Sequence, residues 1–362
     1  MAQKATRHFM PHSALWTSST MLARSSVAEA WKSQWKRNMK KWVKQIGIGV
    51  LILVLIVCAI VYFRFTQWRN EVTKNLARDS VVVQTAKGPI EYAEIGQGPP
   101  ILLVHGDPGG YDQIYQVLKL QHAENGAFRY IIPSRPGYLR TPLFLGRTPR
   151  EQAQAFAALL DALKIDKVAV IGGSGGGPSV IEFAALYPER CVALILEAAI
   201  TAKIVAPKPG FVEATIKNTV GYDFSFWLLK NQFVAGLQAK DPKDPKITAI
   251  ATAILNSAVP YSRRKAGWDN DTEQWTKLAE LPLTGIRCPT LILQGTDDQN
   301  VPLAQAELAH SKIANSKLVT LRGQDHWMLI TKHRELDDLS HAFLIEHQSG
   351  DSASQVQDAG QQ

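Results

Sequence analysis

The stretch "KVAVIGGSGGGPSVIEFAAL", residues 167–186, limits what this chain can fold into more than any other. An apolar, β-branched run ends in two glycines, one serine and three more glycines, and an apolar run of helix formers comes next. Glycine inside a strand or helix costs roughly 0.5–1 kcal/mol relative to alanine, so five of them around Ser174 call for a steric reason. One is at hand. In Gly172-x-Ser174-x-Gly176 a strand reverses sharply into a helix, the serine takes a strained backbone conformation, and its hydroxyl stands exposed at the turn. A flexible linker does not sit between two apolar elements, and no Gly-Lys-Ser/Thr comes after the glycines to make a phosphate loop.

The surroundings fit that reading. From about Ser80 short apolar runs alternate with longer helix-periodic ones, the pattern of an α/β fold with a mostly parallel sheet flanked by helices. "VVVQTAKGPIEYAEIG" predicts a strand pair turning at Lys87-Gly88-Pro89, and "PPILLVHG" and "FRYIIPSRPG" predict the next two strands. "EQAQAFAALLDALKI" is amphipathic, with Phe156, Leu159, Leu160 and Leu163 on one face. "KVAVIGG" is apolar without a break, as a strand buried on both faces should be. "VALILEAA", "PTLILQGTDD" and "SKLVTLRGQDHW" predict three further strands, with a helix after the last.

Between Ile200 and about Leu283 the alternation stops. The stretch is rich in aromatics, among them Phe211, Tyr222, Trp227 and Trp268, and is broken by Pro207, Pro209, Pro242, Pro245 and Pro260. Helical pieces interrupted by prolines suit a lid inserted into the sheet domain, or a small local core. The expected organisation is therefore a core over 80–200, a helical lid over 201–283 and the second part of the core over 284–347.

A serine hydroxyl is a weak nucleophile without a base, and the base needs an acid to fix its tautomer. Asp297 and Asp298 stand just past one predicted strand and His326 just past the next, and the carboxyl ends of parallel strands are where such sheets bind ligands. Ser174, an aspartate and His326 thus form a candidate triad. Asp325, the immediate neighbour of His326, is poorly placed to reach the far nitrogen of its ring. A tetrahedral intermediate also needs two backbone N–H donors. Gly175 supplies one by its position after the serine, and Asp107 in the loop "HGDPGG" is the candidate for the other. His105 reads as a support for that loop.

"HGDPGG", "SRPGYLRTP", "GGSGGGP", "GTDDQNVP" and "DHW" stand in the order seen in the α/β-hydrolase superfamily, which Ser80 to about His347 resembles. The resemblance implies a sheet of about eight strands, a lid after the sixth, and Asp298 as the acid, three residues after the glycine and four before the proline of G-x-x-D-x-x-V-P. The loop "HGDPGG" is similar to that of proline iminopeptidases and to the HGxP loop of epoxide hydrolases. Epoxide hydrolases carry an aspartate where this chain has Ser174, and proline iminopeptidases usually a tryptophan where it has Gly175.

Residues 1–80 hold thirteen Lys and Arg against three Asp and Glu, whereas the remainder is close to neutral, which excludes nucleic-acid binding by the large C-terminal part. The basic segment 1–45 leads into "IGIGVLILVLIVCAIVYF", residues 46–63, uncharged and long enough as a helix to cross ~27 Å of hydrocarbon. Six Lys and Arg in "WKSQWKRNMKKWVKQ" precede it and Arg64 and Arg69 come after, so the positive-inside rule keeps the N-terminus cytoplasmic. The expectation is a single-pass anchor with a linker over 64–79 and the catalytic domain outside the cytoplasm, periplasmic in a bacterium; a cleaved signal peptide is the rival.

Cys58, Cys191 and Cys288 form no disulfide framework and no zinc spacing, no cofactor or metal is implied, and the polar tail over 348–362 is expected to be disordered. The functional expectation is a membrane-anchored serine hydrolase of a carboxylic ester or related small acyl compound. A proline-releasing aminopeptidase, with Asp107 or Glu197 on a substrate ammonium, is the second reading, and a non-catalytic binding protein on the same fold the third.

Overall fold

Short apolar strands that alternate with helices bury themselves best in one twisted sheet with helices on both faces. The computed structural model, which describes residues 14–123, 126–204 and 222–358, has that architecture. Its eight strands are β1 (Val81–Thr85), β2 (Gly88–Gly96), β3 (Pro100–Val104), β4 (Arg129–Pro133), β5 (Val168–Gly173), β6 (Cys191–Glu197), β7 (Thr290–Gly295) and β8 (Ser316–Leu321). They are ordered β1-β2-β4-β3-β5-β6-β7-β8. β2 is antiparallel to both neighbours and every other pairing is parallel.

The first turn differs from expectation. It falls at Ala86 and Lys87, and Gly88, at φ +127°, and Pro89 already belong to β2. Pro89 faces Gln84 of β1, whereas β2 joins β4 only from Tyr92 onward, so its missing N–H interrupts no bond to β4.

Helix α1 (Ala14–Lys74) precedes the sheet. The chain divides into two compact units, Met1–Thr66 and Gln67–Gln362. In the first, α1 supplies the one helix among the described residues that is long and apolar enough to cross a membrane; its apolar window is fully exposed, and a signal sequence would pass the same test.

In the second unit, α2 (Tyr111–Leu120) follows β3, α3 (Pro149–Ala162) follows β4 and α4 (Gly177–Leu186) follows β5. Thr148 and Glu151 form a capping box that fixes the start of α3. Phe156 and Leu159 of α3 and Val180 and Phe183 of α4 pack with Leu102, Val170 and Leu194 on one face of the sheet. Between β6 and β7 come α5 (Tyr222–Lys240), α6 (Lys246–Asn256) and α7 (Lys265–Lys277), separated where Pro242, Pro245 and Pro260 stand. Pro207, Pro209 and Phe211 of this insertion lie outside the described residues.

α8 (Leu303–Lys312) joins β7 to β8, and the short α9 (Met328–Thr331) and α10 (His333–Asp358) close the chain. Met328, Leu336 and Leu344 cover the other face of the sheet against Ile101, Ile171 and Ile195. α10 runs past His347, into the segment whose composition predicts a disordered tail. Packing of Leu336 and Leu344 against the sheet starts the helix, so its added turns need no nucleus of their own.

Candidate active site

Each candidate residue lies at the carboxyl edge of the sheet: Ser174 directly after β5, loop 105–110 after β3, Asp298 after β7 and His326 after β8. Ser174 sits at φ +48°, the left-handed region that a non-glycine residue adopts only under constraint. The constraint is close packing behind it. A Cβ on Gly172 would stand 2.4 Å from Val180 Cγ2 in α4, and one on Gly175 would stand 2.5 Å from Trp275 Cζ2 and 2.8 Å from Asp107 Oδ1. Glycine thus lets α4 start against the end of β5.

The three polar side chains meet in line. His326 Nε2 is 3.1 Å from Ser174 Oγ and His326 Nδ1 is 2.8 Å from Asp298 Oδ2. The Asp298 side chain is fully buried and that of His326 is 12% exposed. The other carboxylate oxygen accepts from the backbone N–H groups of Asn300 and Val301, both at 2.8 Å, and Gln294 Nε2 donates to Oδ2 at 3.1 Å. Burial pushes the Asp298 carboxyl up, but the His326 bond and charge, with the two backbone donors, outweigh it and leave the group below its ordinary range. Asp297 is exposed and accepts from Thr296 Oγ1, and Asp325 pairs with Lys240, so neither approaches His326 Nδ1.

Loop 105–110 closes over the nucleophile. A Cβ on Gly106 would come within 3.1 Å of Ser174 Cβ. His105 is buried with both ring nitrogens engaged by backbone: Nδ1 lies 2.5 Å from Gly106 O, and Nε2 accepts the Arg135 N–H at 2.9 Å. Nδ1 therefore carries the proton, and burial and then the Arg135 charge keep this imidazole neutral, well below its usual range. The carboxyl of Asp107, hemmed in beside Gly175 and Trp275, is pushed up to about 7 by burial and by Asp271, against the pull of Arg135 and His326.

Sequence reasoning missed the clamp that holds the insertion here. Arg135, after β4, forms a bidentate pair with Asp271 of α7 at 3.1 and 2.5 Å, and Tyr138 donates to the same carboxylate at 2.6 Å. Arg264 reaches Gly109 O at 2.6 Å and Asp112 at 2.7 Å. These buried bonds bring α7, and with it Trp275, against Gly175. No local pattern marks them; an arginine in "SRPG" and an aspartate 136 residues later carry no shared spacing.

The family profile described as the alpha/beta hydrolase fold matches residues 99–333. The chain belongs to the α/β-hydrolase family. It is 30% identical over 277 residues to a 2-hydroxy-6-oxo-6-phenylhexa-2,4-dienoate hydrolase of Comamonas testosteroni, covering 70% of this chain and 91% of that one. It is 29% identical over 267 residues to the uncharacterized hydrolase YcgS of Bacillus subtilis, covering 68% and 90%. Among solved structures, an alpha/beta hydrolase fold protein from Nakamurella multipartita superposes with a TM-score of 0.62 at 32% identity, over 70% of this chain and 93% of that one. Relatives named as hydrolases and the site's position support a hydrolase acting on small molecules.

Proposed function

We propose that this α/β-hydrolase is a membrane-anchored serine hydrolase that cleaves a carboxylic ester, or a related acyl compound, through an acyl-enzyme. The observation that carries the reading is His326 bridging Ser174 Oγ and Asp298 at 3.1 and 2.8 Å. In this mechanism His326 Nε2 takes the hydroxyl proton as Ser174 attacks the acyl carbon, and Asp298 holds the proton on Nδ1 and stabilises the imidazolium. The backbone N–H groups of Gly175 and Asp107 receive the oxyanion, acting where the charge develops. Collapse expels the alcohol, protonated by His326, and a water activated by the same nitrogen then releases the acid.

The insertion acts as a lid, with Trp275 as its wall over the nucleophile. Two further observations support the anchor: the apolar run over 46–63 and the basic segment before it, which together favour a cytoplasmic N-terminus and a hydrolase domain on the outer face.

A fluorophosphonate probe tests the chemistry. Wild-type protein should be labelled and Ser174→Ala should not; labelling that persists in the variant overturns the assignment of the nucleophile. Protease added to spheroplasts tests the topology: digestion of the catalytic domain before lysis is expected, and protection until lysis would mean the opposite orientation.

A further inference from the structure

The cavity that holds Ser174 does not end at the catalytic residues. It encloses about 1140 Å³ and continues along the sheet face covered by α10. Leu103, Tyr130 and Ile171 of the sheet line it there, together with Gln121 just after α2 and Asp337 and Ser340 of α10. That is room for a substrate of some length.

Glu197 stands at the near end of this arm. It closes β6 in register with Gly173, the residue before the nucleophile, so its backbone lies one strand spacing, ~4.8 Å, to the side. Ile195 and Glu197 alternate onto the α10 face, where Ser340 Oγ donates to Glu197 Oε1 at 3.2 Å. Asp337 sits farther along, held by Gln121.

Asp337 feels the charge of Glu197. Burial first, and nothing but the Ser340 bond against it, pushes Glu197 up to about 7. Asp337 is pushed up first by the loss of water around it, then by Glu197 and Asp338, with Lys246 only partly offsetting them. The Tyr130 phenol beneath them is raised to about 12 by burial and then by the same two acids. Among the described lining residues there is one lysine, Lys203, and no arginine. Lys203 lies on the opposite, insertion side, next to Ile204, whose N–H donates to Trp275 O.

We propose that Glu197, backed by Asp337, selects the charge of the substrate: the arm takes an acyl or alcohol chain ending in an ammonium group and rejects one ending in a carboxylate. The proposal rests on the serine-hydrolase reading and deepens it. A cation in the arm relieves the push of Glu197 on Asp337 and gains charge-assisted hydrogen bonds, whereas an anion there meets the two carboxyls while the amide of Gln121 and the hydroxyl of Ser340 are already bonded to those acids. The Comamonas relative is named for a dienoate, an anion of the kind this selection would exclude.

The test uses the full-length chain in detergent and three p-nitrophenyl esters of equal acyl length, ended by methyl, trimethylammonium or carboxylate, with a second series carrying the same groups on the alcohol. The wild type should hydrolyse the trimethylammonium ester of at least one series with kcat/KM at least a hundredfold above its carboxylate counterpart, the difference lying mainly in KM. Glu197→Gln should reduce that ratio at least tenfold, and Glu197→Asp should retain most of it. In parallel, calorimetry on Ser174→Ala measures binding of the same uncleaved esters and should show the same order. If no ester is turned over but Ser174→Ala still prefers the cation, the hydrolase reading fails and the charge selection stands. Equal binding of cation and carboxylate in both series, or a ratio untouched by Glu197→Gln in a variant that melts like the wild type, overturns the proposal.

Discussion

Replacing Asp298 by asparagine tests the catalytic assignment at its most specific point. In the wild-type chain Asp298 Oδ2 faces His326 Nδ1 at 2.8 Å, which leaves a lone pair on Nε2 toward Ser174 Oγ, 3.1 Å away. Oδ1 is held by two backbone N–H groups, both at 2.8 Å. An asparagine satisfies those donors with its amide oxygen and must then turn its NH₂ to the ring. Nδ1 becomes an acceptor, the ring proton moves to Nε2, and the nitrogen facing Ser174 can no longer take a proton. The geometry survives but the base is lost. By analogy with the aspartate of serine proteases, kcat should fall on the order of 10⁴-fold, or about 5.4 kcal/mol of barrier. Asp297→Asn alters an exposed side chain bonded to Thr296 and should change kcat by less than about threefold. Initial rates on p-nitrophenyl butyrate, corrected for the residual rate of Ser174→Ala and normalised to the melting curve, give both numbers. An Asp298→Asn enzyme within tenfold of wild type would refute the reasoning, and so would a larger loss at Asp297.

Three other outcomes are expected from the packing and the titrating groups. Gly172→Ala puts a methyl 2.4 Å from Val180 Cγ2 and should cost about 1–3 kcal/mol in urea melts, while Gly285→Ala, whose new Cβ meets Ala185 at an ordinary 3.4 Å, should cost far less; equal losses would contradict the close approach of α4. Burial raises Glu197 from 4.5 to about 7, so between those values the native chain keeps a proton the unfolded chain has lost. Stability therefore falls as pH rises through that window, by at most about 1.4 kcal/mol per pH unit and less where solvent screens the group. Glu197→Gln should flatten the slope, and an unchanged slope counts against it. Finally, the free thiols of Cys191 and Cys288 are buried with their sulfurs 3.5 Å apart. Diamide should join them, with loss of two hydrogens in the intact mass and a rise in Tm that reflects closure of a loop of 97 residues. Thiols that remain free after such treatment, in protein that is still folded, would show that the pair cannot reach bonding geometry.

How much of this was legible in the sequence depends on the range of the forces involved. The end of β5, Ser174 and α4 are written in adjacent residues, because a sharp reversal needs small neighbours and two buried elements need apolar runs. The eight-stranded sheet was legible for the same reason, whereas Asp298 was preferred to Asp297 only through the resemblance to the family's G-x-x-D-x-x-V-P pattern; the turn at Asn300 and Val301 that its carboxylate caps emerged with the structure. The clamp of Arg135 on Asp271 was not legible, nor was the placing of Trp275 on Gly175. Each depends on where the insertion folds back, and nothing local sets that.

Gly173 joins the two kinds of information. Of the glycines at the turn, Gly172 and Gly175 are each crowded by a neighbouring side chain, but a Cβ on Gly173 would meet only Glu197 O, at 3.7 Å. Close packing therefore does not account for a glycine at this position. Its place in register with Glu197, on the face that carries Ile171 and Ile195, does: a side chain there would project into the mouth of the arm that runs from Ser174 past Glu197. The same short run of glycines thus serves two ends, fitting the strand to its helix on one face and keeping the path to the nucleophile open on the other.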